Sequence, residues 1–176
     1  NNDQNAGRAT GTVDLSIASG GTIRTYGGET RIGLGEDAEG YLEVSDNMTV
    51  SIGQDFANRS NLYVGHTQGR GESDEMAKGT VIGNGADFSL HLGNFWVGEN
   101  DHGGNIASAE GTLDLSGVSG GTVRTYGNET RIGFGREASG QVDFSSTLSS
   151  VQIGSDTGDD GSPAQLYIGR SNGRNT

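Results

Sequence analysis

The sequence predicts an all-β fold, a parallel β-helix of short strands stacked coil upon coil, with very little helix. Three observations carry that expectation. Glycine fills 33 of 176 positions, far above the usual share of about 7%. The apolar residues fall in short alternating runs between Gly, Asn, Asp and Ser clusters, the pattern of many brief strands. One long stretch also returns at an offset of 100 residues: positions 11–44 and 111–144 align without gaps, and 21 of the 34 are identical.

The elements follow in order. Thr12–Ser16, Thr22–Thr25, Tyr41–Val44 and Gln141–Phe144 alternate with period two, so that Val13 and Leu15 share one face and Asp14 takes the other. Val123 and Thr125 share a face in the same way, opposite Arg124 and Tyr126. The match between copies continues with small insertions, VSIG at 50–53 returning as VQIG at 151–154 and NLYVG at 61–65 as QLYIG at 165–169. Gly-Thr pairs open strands at Gly11, Gly21, Gly79, Gly111 and Gly121. Aliphatic-Gly pairs end them at Gly33, Gly53, Gly65, Gly83, Gly98, Gly133, Gly154 and Gly169. Both sets are expected to be corners, because glycine reaches the positive φ that a corner demands. No stretch carries a helical stripe; the nearest, Glu72–Lys78, is polar and short.

A repetitive antiparallel meander fits the same strands. It is weakened by the scarcity of Asn-Gly or Asp-Gly between alternating runs, the signature of two-residue hairpins. A solenoid also tolerates the uneven spacing of these signals, since insertions protrude from a regular stack. The chain reads as one solenoid segment, 1–176, holding copies 11–110 and 111–176. The polar stretch 1–10 supplies what the second copy lacks, so the segment is expected to be one unit of an array, joined covalently or by stacking of identical copies end to end. With neither a methionine nor a signal peptide at Asn1, it reads as a processed or excised piece.

A net charge of −12 and a pI near 4.4 argue against nucleic acid, which requires a basic stripe, and against an anionic membrane surface. No apolar run approaches the roughly 20 residues of a membrane-spanning helix. With no cysteine there are no disulfides or thiolate metal sites to consider.

The cadence of LYVG, polar loop, GT and alternating strand, as in Leu62–Gly79 and Phe95–Ser116, resembles the autotransporter-associated and PEP-CTERM-type β-strand repeats of bacterial surface proteins. GTLDLSG at 111–117 is the most typical piece. The resemblance implies secretion, a right-handed parallel β-helix, and a role as passenger stalk, adhesin or surface filament.

The acidic loops are the candidates for an ion. Asp156, Asp159 and Asp160 lie in GSDTGDDGS, Glu99, Asn100 and Asp101 in GENDHGG, and Glu36, Asp37 and Glu39 form a third group. Calcium takes six to eight oxygens of the kind such loops supply. Gly83-Asn84-Gly85-Ala86-Asp87 matches part of a β-roll calcium turn, in one copy only. The plainer reading is that these are solvated loops. His66, His91 and His102 are expected on the surface, His91 in a strand and the others in loops. The pairs Asp14/Asp114, Glu43/Asp143, Arg24/Arg124 and Arg31/Arg131 recur at matching positions, which favours surface ladders over a catalytic pair needed once. Asp14 beside Arg24 is expected as an exposed ion pair. No enzyme is expected.

Tyr26/Tyr126, Tyr63/Tyr167 and Trp96 are candidate sugar platforms, or else stiffen the stack. Asn47, Asn58 and Asn128 head glycosylation sequons, while Gly28, the counterpart of Asn128, does not. The expected function is a structural element of an extracellular filament or stalk. The alternative is an adhesin that binds glycans or host surface.

Overall fold

The structure, a computed structural model, describes residues 9–35, 37–67, 76–100, 108–126, 129–154 and 165–170, and every regular element among them is a strand. In chain order these are β1 (Ala9–Leu15), β2 (Gly21–Thr25), β3 (Glu29–Leu34), β4 (Ala38–Val44), β5 (Met48–Ile52), β6 (Ser60–Thr67) and β7 (Met76–Asn84). Then come β8 (Asp87–Asn100), β9 (Ser108–Gly117), β10 (Gly120–Thr125), β11 (Glu129–Phe134), β12 (Ala138–Phe144), β13 (Ser150–Gln152) and β14 (Gln165–Arg170).

All pairings are parallel. β1, β4, β7, β9 and β12 stack in that order as a first face. β2, β5, β8, β10 and β13 form a second face, and β3, β6, β8, β11 and β14 a third, the long β8 serving both. The chain is therefore a parallel β-solenoid of five successive coils with three faces each. Gly11, Gly40, Gly79 and Gly111 stand in register on consecutive coils, so one 100-residue sequence repeat is three coils. Coils 1 and 2 are repeated as coils 4 and 5; coil 3, built from β7 and β8, has no counterpart.

Inward residues of each strand stack in columns. Val13, Leu42, Val81, Leu113 and Val142 form one on the first face. Ile32, Val64, Val97, Ile132 and Ile168 form another on the third. Val50, Phe88, Leu90, Leu92 and Phe95 fill the middle of the cluster and are fully buried. Each such side chain contributes about 1.5–3 kcal/mol, so a narrow core repeated along an axis suffices for a polar chain. Gly83 belongs to this packing, because a Cβ there would stand 2.7 Å from both Phe88 and Val118.

The glycines divide into two kinds, only one of which is a corner. Gly33, Gly65, Gly98, Gly133 and Gly169 have φ between 60 and 65°, and Gly53 and Gly154 are also left-handed, at 72 and 87°. Gly11, Gly79 and Gly111, expected as corners, lie inside first-face strands without positive φ. Gly79 and Gly111 are needed there because they carry no side chain, whereas a Cβ on Gly11, in the end coil, would meet nothing within 4 Å. A Cβ on Gly79 would come within 2.3 Å of Gly65 N and of Ile32 O, and one on Gly65 within 1.7 Å of Glu110 O. The two glycine columns face each other, and the first and third faces meet there backbone to backbone. The expected strands end where expected to within a residue, but β1, β4 and β12 each begin three residues earlier, and Val123 and Thr125 are both buried on one side of β10.

Asp14 and Arg24 do not meet as expected. Asp14 stands on the first face in register with Glu43, and Arg24 on the second face in register with Ser51. Asp14 instead accepts a hydrogen bond from Ser16 N at 2.9 Å, and Asp114 repeats this with Ser116 N at 2.9 Å. These bonds lie at the C-terminal ends of β1 and β9, each fixing the Asp side chain on its own backbone.

Candidate functional site

The chemistry-bearing residues gather on the third face, where coils 2, 3 and 4 overlie one another. In an unbroken strand, residues three apart point to opposite sides of the sheet. The left-handed glycine between them changes this. Gly65 swings His66 back beside Tyr63, with ring centroids 5.3 Å apart. Gly133 likewise sets Phe134 under the Arg131 guanidinium at 4.4 Å, and Gly169 sets Arg170 over Tyr167 at 4.5 Å. Each coil thus presents two neighbouring side chains where a plain strand would present one.

Stacking the coils turns these into two adjacent columns. The first runs Arg31, Tyr63, Trp96, Arg131, Tyr167, and the second Leu34, His66, Glu99, Phe134, Arg170. Tyr63 lies 4.7 Å from Trp96, His66 meets the Trp96 edge at 5.2 Å, and Arg131 covers the opposite side of Trp96 at 4.7 Å.

Glu99 is the centre of the cluster, 0% exposed. Arg131 Nη1 donates to its Oε1 at 2.6 Å, and His66 Nε2 stands 2.6 Å from its Oε2. The His66 approach lacks hydrogen-bond alignment and is a close polar contact only; His66 Nδ1 and Trp96 Nε1 are also buried without a hydrogen-bond partner among the described residues. Arg131 also donates through Nε to Glu129 at 2.8 Å. Burial by itself would lower the Arg131 guanidinium, but its bonds to Glu99 and Glu129 outweigh this and hold it above its ordinary value. Beside this cluster Asn100 joins three coils. Its Oδ1 accepts from Thr67 Oγ1 at 2.9 Å, and its Nδ2 donates to Arg136 O at 2.7 Å.

Glu99 and Asn100 were candidates as loop ligands for calcium. They are strand residues at the end of β8, buried and bonded to neighbouring coils. With Oε1 bonded to Arg131 of coil 4 and Oε2 against His66 of coil 2, Glu99 acts as a clamp between coils. Asp101, Asp156, Asp159, Asp160, Glu36 and His102 lie outside the described residues. Asp37 sits in a turn at φ 52° and Glu39 in β4. Gly85, in the stretch likened to a calcium turn, makes the bend from β7 to β8 at φ 80°. Among the described residues no three His, Asp or Glu side chains are grouped to hold a metal.

His66, expected on the surface, is buried because the Gly65 bend folds it over Tyr63 and the next coil covers it. His91 is in a strand as expected, and its Nδ1 lies 3.0 Å from Tyr126 Oη. Burial first, and Arg124 second, push its pKa below the ordinary value, with Asp55 opposing. Phe56 closes this second cluster, edge-on to Tyr126 at 5.5 Å. Tyr63, Trp96, Tyr126 and Tyr167 all stack within the protein, while Tyr26 on coil 1 stays half exposed. Of the sequon residues, Asn47 takes a left-handed turn position at φ 64°, Asn58 donates to Asp55 at 3.1 Å, and Asn128 lies outside the described residues.

Comparison with protein-family models, curated proteins and solved structures gave no match to this chain.

Proposed function

We propose that the chain is a structural segment of an extracellular stalk or filament, in which β-solenoid coils continue beyond both of its end coils. One observation carries this reading: the exposed large apolar residues concentrate on the end coils. Val13, Ile17 and Tyr26 on coil 1 are 50, 96 and 51% exposed, and Val151, Leu166 and Ile168 on coil 5 are 41, 48 and 69% exposed. Most occupy columns whose middle members, such as Val64, Val97 and Leu113, are fully buried. An uncovered coil also offers a full ladder of unpaired N–H and C=O groups to another coil. The resemblance to bacterial surface repeats supports an extracellular setting.

The test is a chain lengthened by one sequence period, a second copy of residues 77–176 placed after Thr176. Three more coils should lengthen the rod by about 14 Å, with an axial spacing near ~4.8 Å in electron-microscope power spectra. Gly133 is the internal control. Its added Cβ would meet nothing closer than 3.1 Å, whereas at Gly98, one coil earlier, a following coil brings Ser139 O to 1.7 Å. Gly133→Ala should therefore be mild in the present chain and disruptive in the lengthened one. Two rods joined by a hinge, with Gly133→Ala equally mild in both chains, would refute the reading.

A further inference from the structure

Both ends of this stack carry an arginine on the third face, in its two adjacent columns, and that selects what can cover them. Resting on the reading that coils continue at the ends, these arginines specify which coil does so.

Coil types come first. Coils 1 and 4 are one sequence type, and coils 2 and 5 another. The junctions in the molecule are coil 1 on 2, 2 on 3, 3 on 4, and 4 on 5. The face left open on coil 5 is therefore the face that coil 2 turns to coil 3. The face left open on coil 1 is the one that coil 4 turns to coil 3. Both open faces are of the kind that meets coil 3 inside the protein.

Charge gives the same answer independently. Within the stack, Glu99 of coil 3 lies between His66 of coil 2 and Arg131 of coil 4. At the place of His66, coil 5 carries Arg170; at the place of Arg131, coil 1 carries Arg31. Among the described residues Arg31 pairs only with Glu29 of its own strand, its side chain 47% exposed. Arg170 is held over the rings of Tyr167 at 4.5 Å and Phe134 at 5.7 Å and has no ion pair among the described residues. Stacking coil 5 directly on coil 1 of another copy would put Arg170 where Glu99 stands and bring it against Arg31. Like charges would then meet where the interior places an opposite pair.

We infer that each open end is shaped to receive a coil of the coil 3 type, bearing a carboxylate at the Glu99 place, and not the opposite end of an identical chain. The continuous stack is then a three-coil period, in which each glutamate coil is followed by two arginine coils along the third face.

Three lengthened chains test this, each with one coil added after Thr176. The additions are a second copy of residues 77–107, the same copy with its glutamate at the Glu99 place changed to lysine, and a copy of the coil 1 segment 9–35. Hydrogen exchange is read at the amides of Gln165–Arg170, with the present chain as baseline. The glutamate-bearing coil should slow exchange there about 100-fold more than the lysine version, the loss expected when a buried ion pair is broken from one side. The coil 1 copy should protect no better than the lysine version. Equal protection by the glutamate and lysine versions, or better protection by the coil 1 copy, would overturn the inference while leaving continuation intact. Protection by none of the three would overturn both.

Discussion

The facing glycine columns invite a measurement that separates backbone strain from packing. Gly65 and Gly169 have φ of 63 and 62°, yet a Cβ on Gly65 would lie 1.7 Å from Glu110 O, while one on Gly169 meets nothing within 4 Å. Alanine in the left-handed region costs about 1–2 kcal/mol wherever it stands. At Gly169 that is the whole effect. At Gly65 ordinary contact needs at least 3.4 Å, so strands β6 and β9 must separate by well over an ångström. That displacement sacrifices several ladder hydrogen bonds at about 1 kcal/mol each, beyond the strain. Gly65→Ala should then cost about 4 kcal/mol or more, a large part of the 5–15 kcal/mol that holds a typical domain together. Gly169→Ala should cost about 1–2 kcal/mol. Urea titration with the slope held common gives both values. If the two substitutions agree within about 1 kcal/mol, the faces do not depend on glycine contact and the account of the Gly-Thr signal is wrong.

Two further outcomes follow from the third face and its neighbour. Glu99→Gln should destabilise the fold by about 3–5 kcal/mol, because it leaves Arg131 partly buried without one of its two carboxylates; calorimetry showing a loss under 1 kcal/mol would make the clamp incidental. Acid should weaken the protein from the depressed groups. The folded His91 ring binds its proton less readily than the unfolded one, so its contribution is full above about pH 6.5 and is lost as pH falls through its folded pKa. Asp114, lowered chiefly by the Ser116 hydroxyl and then by its backbone N–H, behaves in the same sense below its ordinary 3.8. His91→Gln should flatten the upper part of that acid limb in denaturant midpoints measured against pH, and an unchanged limb would remove His91 from the account.

The solenoid was legible in the sequence because its two signals are local. Alternation of Val13 and Leu15 around Asp14 marks a strand with one wet face, and Ile-Gly marks the bend at its end. The 100-residue match supplied the stacking order of coils 1 and 4 without naming coil 3, whose sequence has no second copy. The site was hidden for a physical reason. Tyr63 and His66, or Arg131 and Phe134, are three apart and belong on opposite faces under period-two counting. Only a left-handed glycine between them makes them neighbours. The signal was present in Tyr-Val-Gly-His and Arg-Ile-Gly-Phe, but it requires reading the glycine as a reversal of facing as well as the end of a strand. The burial of Glu99 was equally unreadable, since its neighbours in sequence are polar and its partners come from coils about 32 residues away on either side.

Coil 3 explains why a chain this repetitive is not uniform. A stack of identical coils can slip by a whole coil without losing its ladders, since every junction is equivalent. The glycine columns and the aliphatic columns are nearly the same on all five coils and cannot prevent such a slip. The Glu99 clamp can, because moving coil 3 by one place would part Glu99 from both His66 and Arg131 and leave Arg131 with Glu129. Phe88 adds a steric key of the same kind: its ring lies over Gly83, where an added Cβ would come within 2.7 Å of it. The departures from repetition are thus concentrated in the coil that joins one copy to the next, where a defined register keeps the two copies in step.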